Sequence, residues 1–335
     1  MPGELRGAWH VHTTRSDGRG TLDEVVAAAR EAGLQFVVVS DHEALAPEEQ
    51  GWHGGVLVVK AVEVSTPFGH VVAVGVPRPL TPDERNGEPL KAIRALGGEA
   101  VLAHPLHPHR PFTGWGRGPW RGLEIVSNDT TWGETVAGNA WARVGLAALT
   151  FPFDRGRALL ALQQEPRDEL RRFDLEAAAA RSGSPQSPGP ALLCSADAHG
   201  YPSYRAAFEA FSMRVPVTPS GDGTVDARSV AAALLDRRAV CVLDGEASAS
   251  GVRLERARDG RSLALRLDAP DLSRASFTLF HDGEPIARRI PAARSGEAVI
   301  PFGCGEGARC PPGDYRVEAT WGGKPWIFTN PIRIE

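Results

Sequence analysis

The chain has little cysteine, little methionine and no long apolar run. Of its 335 residues, four are Cys and two are Met. That is too little cysteine for a disulfide-built scaffold, and no Cys-x-x-Cys metal ribbon occurs. Cys194 and Cys241 lie inside apolar strand-like runs and are expected to be buried thiols. Cys304 and Cys310 flank Gly-Glu-Gly-Ala-Arg and leave two outcomes open, a hairpin disulfide or, in a reducing compartment, two thiols. No apolar run approaches the roughly 20 residues that span a membrane. Met1-Pro-Gly-Glu-Leu-Arg-Gly7 lacks the apolar core of a signal peptide. A cytoplasmic protein without membrane contact is expected, an exported form being the alternative if a longer chain carries a leader. Basic excess is absent too: the formal net charge is -4, which argues against duplex nucleic acid as a partner. Neither a Gly-rich loop ending in Lys-Ser/Thr nor a Gly-x-Ser-x-Gly elbow is present.

What the chain has is alternation. Short Val-rich runs at Leu5–His10, Gln35–Ser40, Val56–Val62, His70–Val76, Ala100–His104, Gly122–Val126, Ala191–Ala196 and Ala239–Leu243 predict strands buried on both faces of a parallel sheet. Helical patterns fill the gaps. Thr21-Leu-Asp-Glu24 is a capping box ahead of Val25–Ala32, and Gly33 ends that helix. Gly133–Leu149, Arg155–Arg181 and Val225–Asp236 predict further helices. This pattern means α/β, a closed or nearly closed barrel over residues 1–246. Beyond it, Val252–Arg256, Ser262–Leu267, Ser276–His281, Ala298–Phe302, Tyr315–Thr320 and Trp326–Ile334 read as strands separated by turns such as Asp282-Gly283. Residues 247–335 are therefore expected to form a small, sandwich-like antiparallel β-domain.

Histidines and acids gather at the ends of the barrel strands. They are His10, His12 and Asp17; Asp41 and His42; Glu63; His104; and Asp197 and His199. Positions i and i+2 of a strand share a side, so His10 with His12, and Asp197 with His199, can each reach one ion. Imidazole and carboxylate are ligands common to Mn, Zn and Fe. Strand ends on one face of a barrel are where such ligands converge. Asp41 is expected to orient a neighbour rather than to bind metal. In Pro105-Leu-His-Pro-His-Arg-Pro111, His107, His109 and Arg110 should rim the site, and Arg110 could pin an anion or simply be solvated. Arg205 could reach substrate or pair with a helix acid. Trp115, Trp120 and Trp132 could wall a leaving group, although packing under loops is the commoner fate.

Gly7-Ala-Trp-His-Val-His-Thr-Thr-Arg-Ser-Asp-Gly18 resembles the first motif of the polymerase and histidinol phosphatase (PHP) family. Val38-Val-Ser-Asp-His42, Ala103-His-Pro105 and Ser195-Ala-Asp-Ala-His199 resemble its later motifs, in order, over about residues 5–245. The resemblance implies a distorted (β/α)7 barrel with two or three divalent ions at the carboxyl ends of its strands. It assigns one ion to His10, His12, Glu63 and Asp197, a second to Glu63 and His104, and a third to Asp17, His42 and His199. Family members often have His or Cys where Ser127-Asn-Asp129 stands, and His70 is the expected substitute ligand. Val62-Glu-Val-Ser-Thr-Pro-Phe-Gly-His70, Asn128-Asp-Thr-Thr-Trp132 and the tail segment Pro325-Trp-Ile-Phe-Thr-Asn-Pro331 are similar to the carbaryl-hydrolase-like branch.

Close divalent ions lower the pKa of a bridging water and polarise an ester oxygen. The expected activity is hydrolysis of a small phosphorylated metabolite or nucleotide by a metal-bridging hydroxide. Asp197, Glu63 and His199 would act at the reacting atoms, with Arg110 and Arg205 on the substrate. Hydrolysis of a carboxylic ester or carbamate is the alternative, and a non-catalytic PHP module the third reading.

Overall fold

The computed structural model describes residues 3–128, 138, 141–184, 187–257, 261–304 and 310–335. The segment Asp129–Trp132, the start of the expected helix at Gly133, and Gly305–Arg309 lie outside the described residues.

Seven strands close a ring: β1 (Leu5–Val11), β2 (Phe36–Val39), β4 (Val56–Thr66), β5 (Gly69–Val74), β6 (Glu99–Leu102), β7 (Gly122–Ser127) and β8 (Ala191–Ala198), with β8 returning to β1. β3 (Gly51–His53) is a short antiparallel flap on β4. The ring is mixed, not wholly parallel as expected. β5 runs antiparallel to both β4 and β6. Only Pro67 and Phe68 separate β4 from β5, and a link that short can make a hairpin but not a crossover.

Helices α1 (Leu22–Glu31), α2 (Pro82–Asn86), α3 (Pro89–Ala95), α4 (Trp141–Thr150), α5 (Arg155–Leu160), α6 (Arg167–Gly183), α7 (Tyr204–Ala210) and α8 (Gly223–Leu235) fill several of the gaps. The capping box at Thr21 forms as the sequence reading expects. The single helix expected over Arg155–Arg181 is two, α5 and α6, because Pro166 stands ahead of the second and cannot continue a helix from the first.

β1 uses one edge twice. Its amino half, at Leu5, Arg6 and Gly7, pairs antiparallel with β9 (Ser212–Val215), while Trp9 and Val11 pair with β8. The ring is thus tied at its mouth and splayed at its base, where the sheet continues outward. β10 (Val240–Val242) adds to β9, and β17 (Lys324–Thr329) adds to β10. β16 (Gly313–Trp321), β13 (Ala275–His281) and β14 (Glu284–Arg289) follow, with β18 (Ile332–Ile334) on β16. A second sheet of β11 (Ser250–Arg256), β12 (Ser262–Ala269) and β15 (Gly296–Gly303) packs over them.

The carboxyl-terminal layers therefore do form two antiparallel sheets, but one of them is continuous with the barrel. Phe328 sits in the barrel core while Trp326 and Ile327 sit in the second core. Asn330, buried, accepts from Leu192 N and donates to the carbonyls of Leu192 and Ala239. Cys194 and Cys241 are not free thiols. They are bonded to each other, because β8 and β10 pass close together inside the core. Closing a chain loop of 47 residues in this way contributes about 4 kcal/mol in the chain-entropy view. Cys304 and Cys310 are also paired. Among the described residues no helix is long and apolar enough to cross a membrane.

Candidate metal centre

Glu63 stands near the end of β4, 1% exposed, and five imidazoles face its carboxylate. His10, His12 and His42 bring Nε2 to 3.1, 3.1 and 3.3 Å from Oε2. On the other oxygen, His70 Nδ1 lies at 2.9 Å and His104 Nε2 at 3.1 Å. Asp197 closes the cluster from β8, with Oδ1 at 3.6, 3.5 and 3.7 Å from His10, His12 and His199. At the rim, Asp17 lies 3.4 Å from both His12 and His199 and 3.7 Å from His42. All nine residues singled out as metal ligands therefore meet at one mouth of the barrel.

The backbone is bent to bring them there. His10, His104 and Asp197 all have positive φ, +67°, +27° and +40°. Residues other than glycine occupy that region at a cost of about 1–3 kcal/mol, and such strain gathers at functional sites. The register of β1 shifts around His10 against both neighbours. His12 lies beyond the last residue of the strand. Simple two-residue alternation, assumed from the sequence, is thus not what aligns His10 with His12; a bulge redirects His10.

Partners outside the cluster hold the rings. Glu124, in the middle of β7, accepts from Trp9 Nε1 (2.6 Å) and His104 N (2.8 Å), and its Oε1 lies 2.8 Å from His10 Nδ1. A carboxylate on Nδ1 fixes the tautomer that presents Nε2 to an ion. Sequence reasoning missed Glu124; the available signal was one acid inside the apolar run Gly-Leu-Glu-Ile-Val. Asp41 accepts from Thr13 N (2.7 Å), Thr13 Oγ1 and Ser16 Oγ (both 2.8 Å), so it shapes the loop that carries Asp17. Gly18 is required in that loop, since a Cβ there would lie 2.5 Å from the His12 carbonyl. Tyr204, also unforeseen, donates its hydroxyl to the His12 carbonyl at 2.9 Å.

The other expected residues divide. Arg110 lines a cavity of about 260 Å³ together with Asp17, Asp197 and His199. His107 is buried, and its Nδ1 accepts from the backbone of His109 and Arg110 at 3.2 and 3.1 Å, so it shapes the loop. Arg205 is held by Glu209 (2.6 Å) and Glu31 (3.1 Å) on the helical surface. Trp120 packs on Phe112, and Trp115 packs under the Arg172 guanidinium, whose carbon is 3.6 Å from the ring centroid. Trp132 lies outside the described residues.

The donor set fits divalent cations. Burial works against charge on His10, but Glu124, Glu63 and Asp197 raise its pKa well above the ordinary range. Burial likewise opposes the charge on His12, yet hydrogen bonds to Asp197 and Glu63 raise its pKa to about 9. The same pairings outweigh burial for Glu63 and Asp197 and hold both carboxylates well below their usual range. His42 goes the other way, lowered mainly by burial. His42 Nδ1 and His104 Nδ1 are buried without a hydrogen-bond partner, while His10 Nε2 and His12 Nε2 face the Glu63 and Asp197 carboxylates. Imidazole nitrogens crowded around two anionic carboxylates bind a cation of the Mn, Zn or Fe type once their protons are released. Among the described residues, three groupings have donor atoms within 4.8 Å of one another: His10, His12 and Glu63; His42, Glu63 and His70; and His12, Asp17, His42 and His199.

No protein-family model matches the chain, and no curated protein matches it. Among solved structures it is similar to a two-domain protein of Bacteroides vulgatus containing a predicted PHP-like metal-dependent phosphoesterase. That likeness has 13% identity and a TM-score of 0.47, over 98% of this chain and 95% of that one. It is also similar to an amidohydrolase of Chromobacterium violaceum, at 15% identity and a TM-score of 0.33, over 58% of this chain and 87% of that one.

Proposed function

We propose that this protein is a divalent-metal-dependent hydrolase, a phosphoesterase in the first instance. The observation that carries the reading is the buried Glu63 carboxylate with imidazoles on both oxygens at 2.9–3.3 Å. A carboxylate so placed can serve two neighbouring cations. His10, His12, Glu63 and Asp197 would hold one ion, Glu63, His70 and His104 a second, and Asp17, His42 and His199 a third. Bound ions of this kind supply an acidified water and a polarised ester oxygen.

The protein's own groups do the rest. Asp197 lines the cavity, and its carboxylate would accept the proton of the attacking water and return it to the leaving alkoxide. The water oxygen forms the new bond to phosphorus as the ester bond to phosphorus breaks. His199 places Nδ1 3.0 Å from the Asp197 carbonyl, which leaves Nε2 for Asp17 and the cavity. Arg110, on the cavity wall, offers a guanidinium to a phosphoryl anion.

A second reading, hydrolysis of a carboxylic ester or carbamate, is favoured by the apolar lining of the same cavity, formed by Leu159, Leu162, Tyr201 and Pro202. The two disulfides favour an exported protein over the cytoplasmic one expected from composition. Protein reconstituted with Mn or Zn should be offered p-nitrophenyl phosphate, bis-p-nitrophenyl phosphate and an aryl acetate in parallel. Metal-dependent release from the phosphates supports the first reading, release from the acetate alone supports the second, and no release from any returns the non-catalytic alternative.

A further inference from the structure

Beside the cluster lies an apolar surface that the phosphoesterase reading leaves unused. Leu159, Leu162, Tyr201 and Pro202 line the site cavity together with Asp17, Asp197 and His199. The same four residues line a second cavity of about 400 Å³, whose far wall is formed by Val144, Ala148 and Phe151 of α4 and the turn after it. The two cavities are neighbours that share these four residues: the first also carries Asp17, Arg110, Asp197 and His199, while the second adds, among the described residues, Val, Ala, Phe and Ser.

The helix behind it is left uncovered. α4 reads Trp-Ala-Arg-Val-Gly-Leu-Ala-Ala-Leu-Thr, with a single charge, and buries only Ala147. A helix that is apolar on nearly every side is normally covered. Tyr201, which lines both cavities, is 66% exposed, and Trp141, Leu149 and Phe153, on or just after α4 but outside the cavity linings, are 65%, 75% and 91% exposed. Exposed apolar surface gathered beside a polar site marks a binding surface. Tyr201 is backed by Arg19, whose guanidinium lies 5.1 Å from the ring centroid.

We propose that the substrate of this site is an amphiphile. Its ester lies at the carboxylate–imidazole cluster, and a long alkyl or acyl chain lies in the trough between α4 and Leu159, Leu162 and Tyr201. The inference rests on the hydrolase reading for the position of the ester. The shared wall points to the occupant: among the described residues the charged groups line the cavity at the candidate site and the neighbouring cavity is lined by apolar side chains and Ser203, so a molecule that fills both is polar at one end and hydrocarbon at the other. The aliphatic character of Val144, Ala148, Leu159 and Leu162 matches a chain.

The test is calorimetric titration of the full chain with butyl, octyl and dodecyl phosphate, each kept below its micelle concentration. Initial rates on p-nitrophenyl butyl and octyl phosphate would be measured beside it. Affinity should rise about 2- to 4-fold per methylene from butyl to octyl, the upper value corresponding to full burial. Ala148→Glu, at an exposed helix position that lines the trough, and Val144→Asp should each reduce the octyl-to-butyl ratio at least about tenfold, since a carboxylate would then face the chain. Leu175→Glu, exposed on α6, should leave the ratio unchanged. Equal affinity at all chain lengths overturns the proposal. So does a dimer that Ala148→Glu dissociates without changing the ratio, since the trough would then belong to a second copy. Chain-length-dependent binding with no hydrolysis of any ester would sink the hydrolase reading and leave the amphiphile site standing; hydrolysis with a flat chain-length profile would do the reverse.

Discussion

At the mouth of the barrel, Glu63 and Asp197 face six imidazoles across 2.9–3.7 Å, and His42 Nδ1 and His104 Nδ1 have no hydrogen-bond partner. At the join with the carboxyl-terminal layers, Asp314 faces the guanidinia of Arg181, Arg237 and Arg333 at 2.9, 3.2 and 3.2 Å. Arg316 pairs there with Asp174 and Glu318. Both regions bury charge. At the join, fixed cations from α6 and the β-layers meet fixed anions, and the result is adhesion between layers. At the mouth the positive partners are histidines, which can give up a proton and leave the carboxylates to an incoming cation. A buried carboxylate marks chemistry when its partners can be exchanged, and architecture when they cannot.

Ending the chain at residue 246 gives the largest effect on that comparison. The sequence alone predicts that an intact barrel would remain. The shared strands, Phe328 in the barrel core and the three bonds of Asn330 predict instead a chain that has lost cooperative unfolding and near-ultraviolet circular dichroism. A truncated barrel with a sharp thermal transition would show that the join is only adhesive.

Next come Glu63→Gln and Asp197→Asn. Each should abolish bound metal, measured by elemental analysis, and lower hydrolysis on the order of 10⁴-fold, while the carboxyl-terminal layers stay folded. Either variant with full metal content and full rate would contradict the assignment of the mouth. Glu124→Gln keeps the shape but removes the charge behind His10, and metal affinity should fall about 10- to 100-fold. An unchanged affinity would make Glu124 a packing residue.

The smallest effect is one of pH. His12, raised to about 9, stabilises the metal-free fold fully below pH 6.5 and loses that contribution as pH rises through about 9. Glu63, lowered from 4.5, stabilises above that value and loses its contribution as pH falls. A cation must displace the His12 proton, so the rise in melting temperature on adding Mn should be small near pH 6.5 and grow toward pH 9. A shift independent of pH over that range would mean that His12 is not displaced.

Much of the site was legible because its ligands are chemically unusual for strand ends: His-x-His, Asp-His and Asp-x-His are few-residue signals that need no knowledge of distant contacts. Glu124 was not legible as a partner of His10, since a lone acid inside an apolar strand says nothing about which ring stands beside it. The pairing of Cys194 with Cys241 was hidden for the same reason, the two being 47 residues apart. Arg205 reads equally well in sequence as a substrate clamp or as a helix partner, and only the positions of Glu31 and Glu209 separate the two.

By itself the sequence determined the α/β alternation, the β-rich tail and the inventory of imidazoles and carboxylates, because periodicity and residue chemistry are local properties. Tertiary structure decided which edge of β1 closes the ring and that the tail's strands continue the barrel's sheet. It also decided that Leu159, Leu162, Tyr201 and Pro202 line the cavity that holds Asp17, Asp197 and His199. Each of these depends on which segments, far apart in the chain, come to share an edge or a wall, and that is set by the packing of the whole chain and by no single stretch of it.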